Sequence, residues 1–332
     1  MNFIESIPIN MLDNINEITL ILSTQCNLSC SYCNQKHKES ILDIESILDT
    51  FKKLKENNKI NKNTKIDFFG GEPLLEYNNL IILYNELKKI GLNNFNIYSN
   101  AKLEKILEIP NDIKIITSYD GINQKYNRSK KDTDKILENL KILSTQNKIH
   151  RINFAYDKDL LNNYKYIRDL LNISEFKINH YLIREVHWWK PYTKIKEYLE
   201  DFKELIKYQV ILNELRLYYK HEKQYLPYIQ NKISYFNKNK LGCGLGKTRI
   251  TILNNKILDC GIGLPSGEFN NFNKINELDS MDNYINNFCI NCEVKNDCPK
   301  KCPIQMKLYP NEFKNTFCKI YKNEINIIKK LL

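Results

Sequence analysis

Two hydrophobic periods alternate through the first half of the chain. Apolar, β-branched stretches at Glu17–Thr24, Thr64–Phe69, Phe95–Ser99, Ile113–Ser118, Arg151–Tyr156 and Phe176–Ile183 predict six strands. Helical patterns fall between them at Ile41–Lys55, Asn79–Lys89, Ala101–Glu108, Thr133–Thr145 and Leu160–Leu171. Within Thr133–Thr145, Ile136, Leu140 and Leu143 keep the i, i+4, i+7 stripe of an amphipathic helix lying on a sheet. Regular alternation of strand and helix implies parallel pairing through right-handed crossovers. The expected class is α/β, with six units forming a partial (β/α)6 barrel or an open sheet. Either arrangement puts ligands at the carboxyl ends of the strands.

Beyond the sixth strand the pattern changes. From Lys190 to about Tyr235 it is helical and rich in Tyr, Lys and Glu, as a connecting pair of helices would be. Arg249–Leu253 and Lys256–Cys260 then alternate around Asn254-Asn255, which predicts a β-hairpin turning on two residues that tolerate positive φ. The cysteine-bearing region from Cys243 to Cys318 reads as short segments and loops, too poor in apolar runs to fold on a core alone, so metal is expected to hold it together. The expected organisation is an N-terminal extension (1–16), a barrel (17–189), a helical connector (190–240) and a small cysteine-rich domain (241–332).

Composition narrows the function classes. The longest apolar runs, such as Ile18–Ser23 and Leu80–Tyr84, are far too short to span a bilayer, and Met1–Asn10 lacks the pattern of a secretory signal. No membrane association is expected, and the cytoplasm is the expected location. The formal net charge of +11 comes from lysines spread along an Asn- and Ile-rich chain, without a compact basic block, so nucleic acid is not the expected partner. Ten cysteines in a chain of 332 residues without a secretory signal point to metal or redox chemistry rather than a disulfide scaffold.

The first three of these cysteines follow strand one as Cys26-Asn-Leu-Ser-Cys30-Ser-Tyr-Cys33. Three thiolates in so short a loop can wrap one face of a cubane and leave one iron without a protein ligand. Zinc, which wants four protein ligands in a structural site, remains open only if His37 supplies the fourth. At the end of the second strand, Phe68-Phe69-Gly70-Gly71-Glu72-Pro73 ends a buried segment in two glycines and a proline. Such an ending exposes backbone N–H and C=O groups to a close ligand.

The C-x3-C-x2-C spacing, with aromatic Tyr32 before the third cysteine, resembles the signature of the radical S-adenosylmethionine (radical SAM) superfamily. Gly70, Gly71, Glu72 and Pro73 resemble that family's GGEP motif, which in relatives meets the amino group of the methionine moiety. Tyr98-Ser99-Asn100 is similar to the family's T-N-G segment, with Ala101 in place of the glycine. Ser118-Tyr119-Asp120-Gly121 resembles its S-x-D-G, followed by Arg128. By this resemblance Ser118 and Arg128 would hold the cofactor's ribose or carboxylate, and an arginine fork suits a carboxylate. The resemblance further implies that the iron lacking a cysteine chelates S-adenosylmethionine, and that one-electron reduction yields a 5′-deoxyadenosyl radical able to abstract an unactivated hydrogen.

Seven cysteines at Cys243, Cys260, Cys289, Cys292, Cys298, Cys302 and Cys318 resemble the SPASM extension of radical SAM enzymes. Asn255 stands where the pattern has glycine. Carried over by position, Cys289, Cys292, Cys298 and Cys318 would ligate one auxiliary [4Fe–4S] cluster completely, and Cys243, Cys260 and Cys302 would hold the other. That makes three clusters, with two zinc sites as the alternative use of the seven.

If three cysteines and then seven are all ligands, no thiol remains as a hydrogen-atom donor. A redox outcome, in which a substrate radical closes a bond or loses an electron, fits better than epimerisation. Ten thiolates and three cores of about +2 each would bring the net charge to about +7, which favours an acidic flavodoxin, ferredoxin or peptide partner. Relatives with the SPASM extension usually modify peptides or proteins, so ribosomal peptide maturation by a thioether or carbon–carbon crosslink is the expected activity, with sulfatase maturation or small-molecule chemistry as the alternative. A metal-binding module without catalysis is the reading from another class. About sixteen residues precede strand one, so a leader peptide is expected to be held by a separate protein or by the catalytic domain itself. Arg184, His187, Trp188 and Trp189 follow strand six where substrate should enter. They either grip an extended peptide or pack the barrel against the connector, and packing is the plainer reading. His150 and His180 read as core or edge residues.

Overall fold

A computed structural model describes residues 6–33, 42–156, 159–173, 177–182, 195–218, 248–258, 289–294 and 311–331. The six expected strands are present as β1 (Glu17–Ser23), β2 (Lys65–Gly70), β3 (Asn94–Ser99), β4 (Ile113–Ser118), β5 (Ile149–Tyr156) and β6 (Ile178–Leu182). Between them run α1 (Ile44–Glu56), α2 (Tyr77–Lys89), the four-residue α3 (Gln124–Asn127), α4 (Thr133–Thr145) and α5 (Leu160–Leu171). Each strand pairs in parallel with its predecessor, as the strand–helix alternation requires.

Local chemistry sets the helix ends. Asp43 caps α1, its Oδ1 accepting the Ser46 N–H at 3.0 Å, so the helix starts three residues later than its apolar pattern suggests. Below the cap, Ile47, Phe51 and Leu54 are buried one turn apart. In α4 the predicted stripe of Ile136, Leu140 and Leu143 is buried. The helix expected at Ala101–Glu108 is instead a turn followed by a 3-10 helix at Glu104–Glu108. Ser99 Oγ accepts the Ala101 N–H at 3.0 Å and Asn100 Oδ1 accepts the Lys102 N–H at 2.9 Å, and these bonds hold the chain in a turn in place of the first helical residues. Ala101 itself sits in the left-handed region at φ 58°.

The predicted hairpin is formed by β7 (Arg249–Leu253) and β8 (Lys256–Leu258), with Asn254 at φ 53° in its turn. It also extends the main sheet. β7 pairs in parallel with β1 from Glu17↔Arg249 to Leu20↔Ile252, giving the order β6-β5-β4-β3-β2-β1-β7-β8. The strand that leads into the first cysteine loop therefore lies between β2 and a ribbon more than two hundred residues away in sequence.

On one face of the sheet Ile18, Leu20, Phe68, Phe95, Ile97 and Ile115 join the core. There Phe95 meets Tyr84 of α2 edge to face. The alternate positions carry polar groups. Lys65 bonds Glu17 at 2.6 Å and Asp67 at 3.2 Å, Arg249 bonds Glu17 at 2.8 Å, and Asn96 donates to Asp67 at 2.6 Å.

Two further helices, α6 (Ile195–Tyr218) and α7 (Asn311–Leu331), pack on each other. The Tyr198 hydroxyl of α6 donates to the buried Glu324 carboxylate of α7. The sequence reading has loops up to Cys318 and assigns no element to the rest of α7. Its stripe of Ile320, Glu324 and Ile328 puts a glutamate among the buried positions, which hides the apolar period. Among the described residues no helix is long and apolar enough to cross a membrane.

Candidate active site at the carboxyl ends of the strands

The first cysteine loop leaves β1 at Ser23, whose Oγ accepts the Gln25 N–H at 3.1 Å and turns the chain. Cys26 and Cys30 are half-buried and Cys33 is exposed. The loop is fastened to the far side of the β4 end. Asn127 C=O accepts both the N–H and the Oγ of Ser31, at 2.8 and 3.2 Å, and the Tyr32 hydroxyl donates to Asp120 Oδ2 at 2.8 Å.

Burial raises the pKa of Cys26, and raises that of Cys30 to about 11; Cys33 adds to both shifts, and Cys26 adds to that of Cys30. The three thiols therefore share one electrostatic neighbourhood. Among the described residues, however, no three His, Cys, Asp or Glu side chains converge on a point where one ion could bind. A cubane suits that arrangement better than a single zinc ion, because each thiolate ligates a different iron. Two N–H groups already face the sulfurs: Asn100 Nδ2 is 3.8 Å from Cys26 Sγ, and an Arg128 guanidinium nitrogen is 4.0 Å from Cys30 Sγ. Donors so placed favour thiolates, so the residues fit an iron–sulfur cluster.

The glycine pair lets two stretches of backbone pack closely. A Cβ on Gly70 would lie 2.0 Å from the Ser23 carbonyl oxygen, and one on Gly71 would lie 2.1 Å from that of Gln25. The N–H groups of Gly71 and Glu72 donate to Ser23 and Gln25 at 2.7 and 2.8 Å. These two donors meet the backbone at the root of the cysteine loop, not a ligand, and the missing side chains let β2 come that close.

Glu72 is fully buried. Its Oε1 accepts the Leu74 N–H at 3.1 Å and the Ser99 hydroxyl at 2.9 Å, while Oε2 accepts the Asn100 N–H at 2.8 Å. Burial pushes its pKa up to about 7 against the pull of these bonds. Pro73 follows as the first residue of a 3-10 helix, where its missing N–H costs nothing. The clamp holds Asn100, whose Nδ2 also donates to Asn27 Oδ1 at 2.7 Å.

Asp120 is the hub on the other side. Fully buried, it accepts the Tyr32 hydroxyl and the Ala155 N–H (2.9 Å), and it pairs with Arg128 Nε at 3.1 Å. The Arg128 guanidinium lies over the Tyr32 ring, 5.3 Å from its centroid. Burial and the adjacent carboxylate push the Tyr32 phenol well above its ordinary value. Ser118 is half-buried and pairs across the sheet with Asn153, whose Oδ1 is buried without a partner. Nδ2 of Asn27, Nδ2 of Asn127 and Nε2 of Gln124 are likewise buried and unpartnered, leaving capacity for a polar ligand near the loop. The sequence reading assigned no part to Asp120, Asn27 or Asn153. The period-2 alternation of β5, which puts Asn153 beside Ser118, was the available signal.

In the second cysteine region, the Cys292 N–H donates to Cys289 C=O at 3.0 Å, closing a turn. Glu293 pairs at 3.0 Å with Lys322, one helical turn beyond Cys318 on α7. Cys243, Cys260, Cys298, Cys302, His37, Arg184, His187, Trp188 and Trp189 lie outside the described residues. A cavity of about 580 Å³ opens at the opposite end of the sheet, where it is lined by Lys114, Lys148, His150 and Lys177. His150 is exposed there rather than in the core.

Comparison with known proteins bears on the same residues. Residues 20–144 match the model of the radical SAM superfamily. Radical SAM cyclopropyl synthase TigE of Paramaledivibacter caminithermalis is 25% identical over 331 residues, spanning 87% of this chain and 68% of its own length. Among solved structures, native anSMEcpe with bound AdoMet and Cp18Cys peptide superposes with a TM-score of 0.68 at 16% identity, covering 95% of this chain and 100% of its own. Streptococcus suis SuiB bound to precursor peptide SuiA gives 0.61 at 19% identity over 94% of this chain and 77% of its own. These two likenesses are of fold. The loop of Cys26, Cys30 and Cys33, the Gly70–Pro73 segment and the end of β4 all fall inside the matched span, and the chain carries a radical SAM superfamily domain.

Proposed function

We propose that this chain is a radical SAM/SPASM enzyme that takes hydrogen from a peptide or protein substrate and matures it by a crosslink or an oxidised residue, formed as a thioether or carbon–carbon bond. The observation that carries the reading is the three-cysteine loop at the end of β1, where Asn100 faces Cys26 Sγ at 3.8 Å and Arg128 faces Cys30 Sγ at 4.0 Å, with no fourth described ligand converging on the thiols. A [4Fe–4S] cluster with one iron free of protein ligands supplies, when S-adenosylmethionine is bound to it, the electron that splits the sulfonium and the radical that abstracts hydrogen.

The chain's own residues hold and orient. Cys26, Cys30 and Cys33 ligate the cluster, and Asn100 and Arg128 donate to its sulfur ligands. Gly70 and Gly71 bring the β2 end under the loop, and Glu72 fixes Asn100. Ser118 and Asn153 offer polar groups to the nucleoside. In the second region, the Cys289–Cys292 turn and Cys318 supply three of four ligands to one auxiliary cluster, a grouping favoured by the Glu293–Lys322 pair. Cys298 completes that set, and Cys243, Cys260 and Cys302 hold the other auxiliary cluster. A peptide substrate is supported by the peptides named with anSMEcpe and SuiB. The electron donor is a flavodoxin or ferredoxin.

Anaerobic reconstitution tests the proposal. The expected product is brown protein with about twelve irons per chain that releases 5′-deoxyadenosine when reduced with S-adenosylmethionine. A colourless zinc protein, or one that binds iron yet never cleaves S-adenosylmethionine, would end it.

A further inference from the structure

The described residues expose seven large apolar side chains, and three of them lie on the short segments just beyond β4 and on the helix packed against them: Ile122 (47% exposed), Tyr126 (71%) and Tyr166 (39%). The Ile122 N–H donates to Asn163 Oδ1 of α5 at 2.9 Å, so the segments form one surface. Exposed Lys125, Lys130 and Lys131 lie on the same segment and the one that follows it, and Lys125 Nζ stands 4.9 Å from the Tyr126 ring centre. An apolar, aromatic patch accompanied by cations is the anatomy of a protein-docking surface.

Its position says what docks. Tyr126 directly precedes Asn127, whose carbonyl accepts two hydrogen bonds from Ser31 between Cys30 and Cys33, and Arg128 next in line reaches Cys30 Sγ at 4.0 Å. The patch is thus the outer surface of the wall that holds the cysteine loop, and Cys33 is exposed on that loop. Resting on the proposed function, we infer that Ile122, Tyr126 and Tyr166, with exposed Lys125, Lys130 and Lys131 on the same and the following segment, dock an acidic flavodoxin-type electron carrier. An acidic protein matches the lysines, and the exposed aromatic edge of a reduced flavin matches Tyr126. In the step it serves, one electron leaves the flavin hydroquinone, the carrier is left one electron more oxidised, and the oxidised cluster held by Cys26, Cys30 and Cys33 is reduced. No bond is made or broken.

The test compares reductants on reconstituted full-length protein carrying Tyr126→Ser, or Lys125→Glu with Lys130→Glu. Cluster reduction is followed by loss of visible absorbance and growth of the reduced-cluster EPR signal. With reduced flavodoxin, each variant should be about tenfold slower than wild type at low salt, and the gap for the charge-reversed variant should close as salt rises. With dithionite, reduction and 5′-deoxyadenosine release should match wild type. Unchanged flavodoxin rates overturn the inference, as does a loss confined to reduced ferredoxin or to the KM of a peptide substrate. Wild-type protein whose cluster is reduced but does not cleave S-adenosylmethionine overturns the proposed function instead, and the flavodoxin comparison still reads the docking surface.

Discussion

Glu17 and Glu72, two buried carboxylates at opposite ends of the sheet, are held in opposite ways. At the amino ends of β1 and β2, burial works against the Glu17 charge, but the Arg249 and Lys65 cations outweigh it and hold its pKa below the ordinary value. At the carboxyl ends, Glu72 accepts three hydrogen bonds from neutral donors and is raised to about 7. The contrast separates a lattice of matched charges that ties strands together from a neutral clamp whose work is geometric. Glu72 holds Asn100 against Cys26 without placing a fixed cation in the site.

The most severe break is Cys30→Ala. We expect the loss of one cluster, a fall of about four irons per chain, and no 5′-deoxyadenosine. Lys65→Met at the other end should leave iron content and product untouched while lowering stability; iron assay and product chromatography check both.

Gly71→Ala comes next. Its methyl carbon would sit 2.1 Å from the Gln25 carbonyl oxygen, so the root of the cysteine loop must move. A loss of about 1–3 kcal/mol in urea unfolding is expected, together with a weakened cluster and unchanged far-UV circular dichroism.

The carboxylate contrast predicts opposite pH dependences for the metal-free chain. Glu72 has its folded pKa raised from 4.5 to about 7, so its contribution is full below pH 4.5 and is lost as pH rises toward 7. The change is on the order of 3 kcal/mol. Glu17 is lowered in the fold, so its contribution is present above 4.5 and lost as pH falls through its folded pKa. Urea midpoints for Glu72→Gln should show a flatter slope between pH 4.5 and 7, and Glu17→Gln should change only the acid side. An unchanged slope for Glu72→Gln removes the distinction.

The smallest expected effect is at Ala101. Its φ of 58° is strained for an L-residue, but the side chain is fully buried. Ala101→Gly relieves about 1–2 kcal/mol of backbone strain and gives part of it back in unfolded-chain entropy and lost packing. A net change under about 1 kcal/mol is expected by thermal unfolding.

Much of the molecule was legible from residue order because its signals are local. The strands β1 to β6, the stripe of α4, the hairpin around Asn254 and the first cysteine loop each rest on periodicity or spacing within a few residues. Three features were hidden for physical reasons. The turn at Ala101 depends on side-chain bonds that compete with a helix, and α7 buries a glutamate in its apolar stripe because Tyr198 of another helix satisfies it. The close packing at Gly70 and Gly71 depends on backbone that arrives from β1.

By itself the sequence determined the α/β alternation and the set of thiols, since both are written in the order of residues along one strand, helix or loop. Only the tertiary structure decided that β7 flanks β1, that Asp120 joins Tyr32, Ala155 and Arg128, and that Glu72 clamps the end of β3. Each of these joins groups far apart in sequence, and such contacts form only when several strands pack at once, so no single stretch of chain carries their pattern.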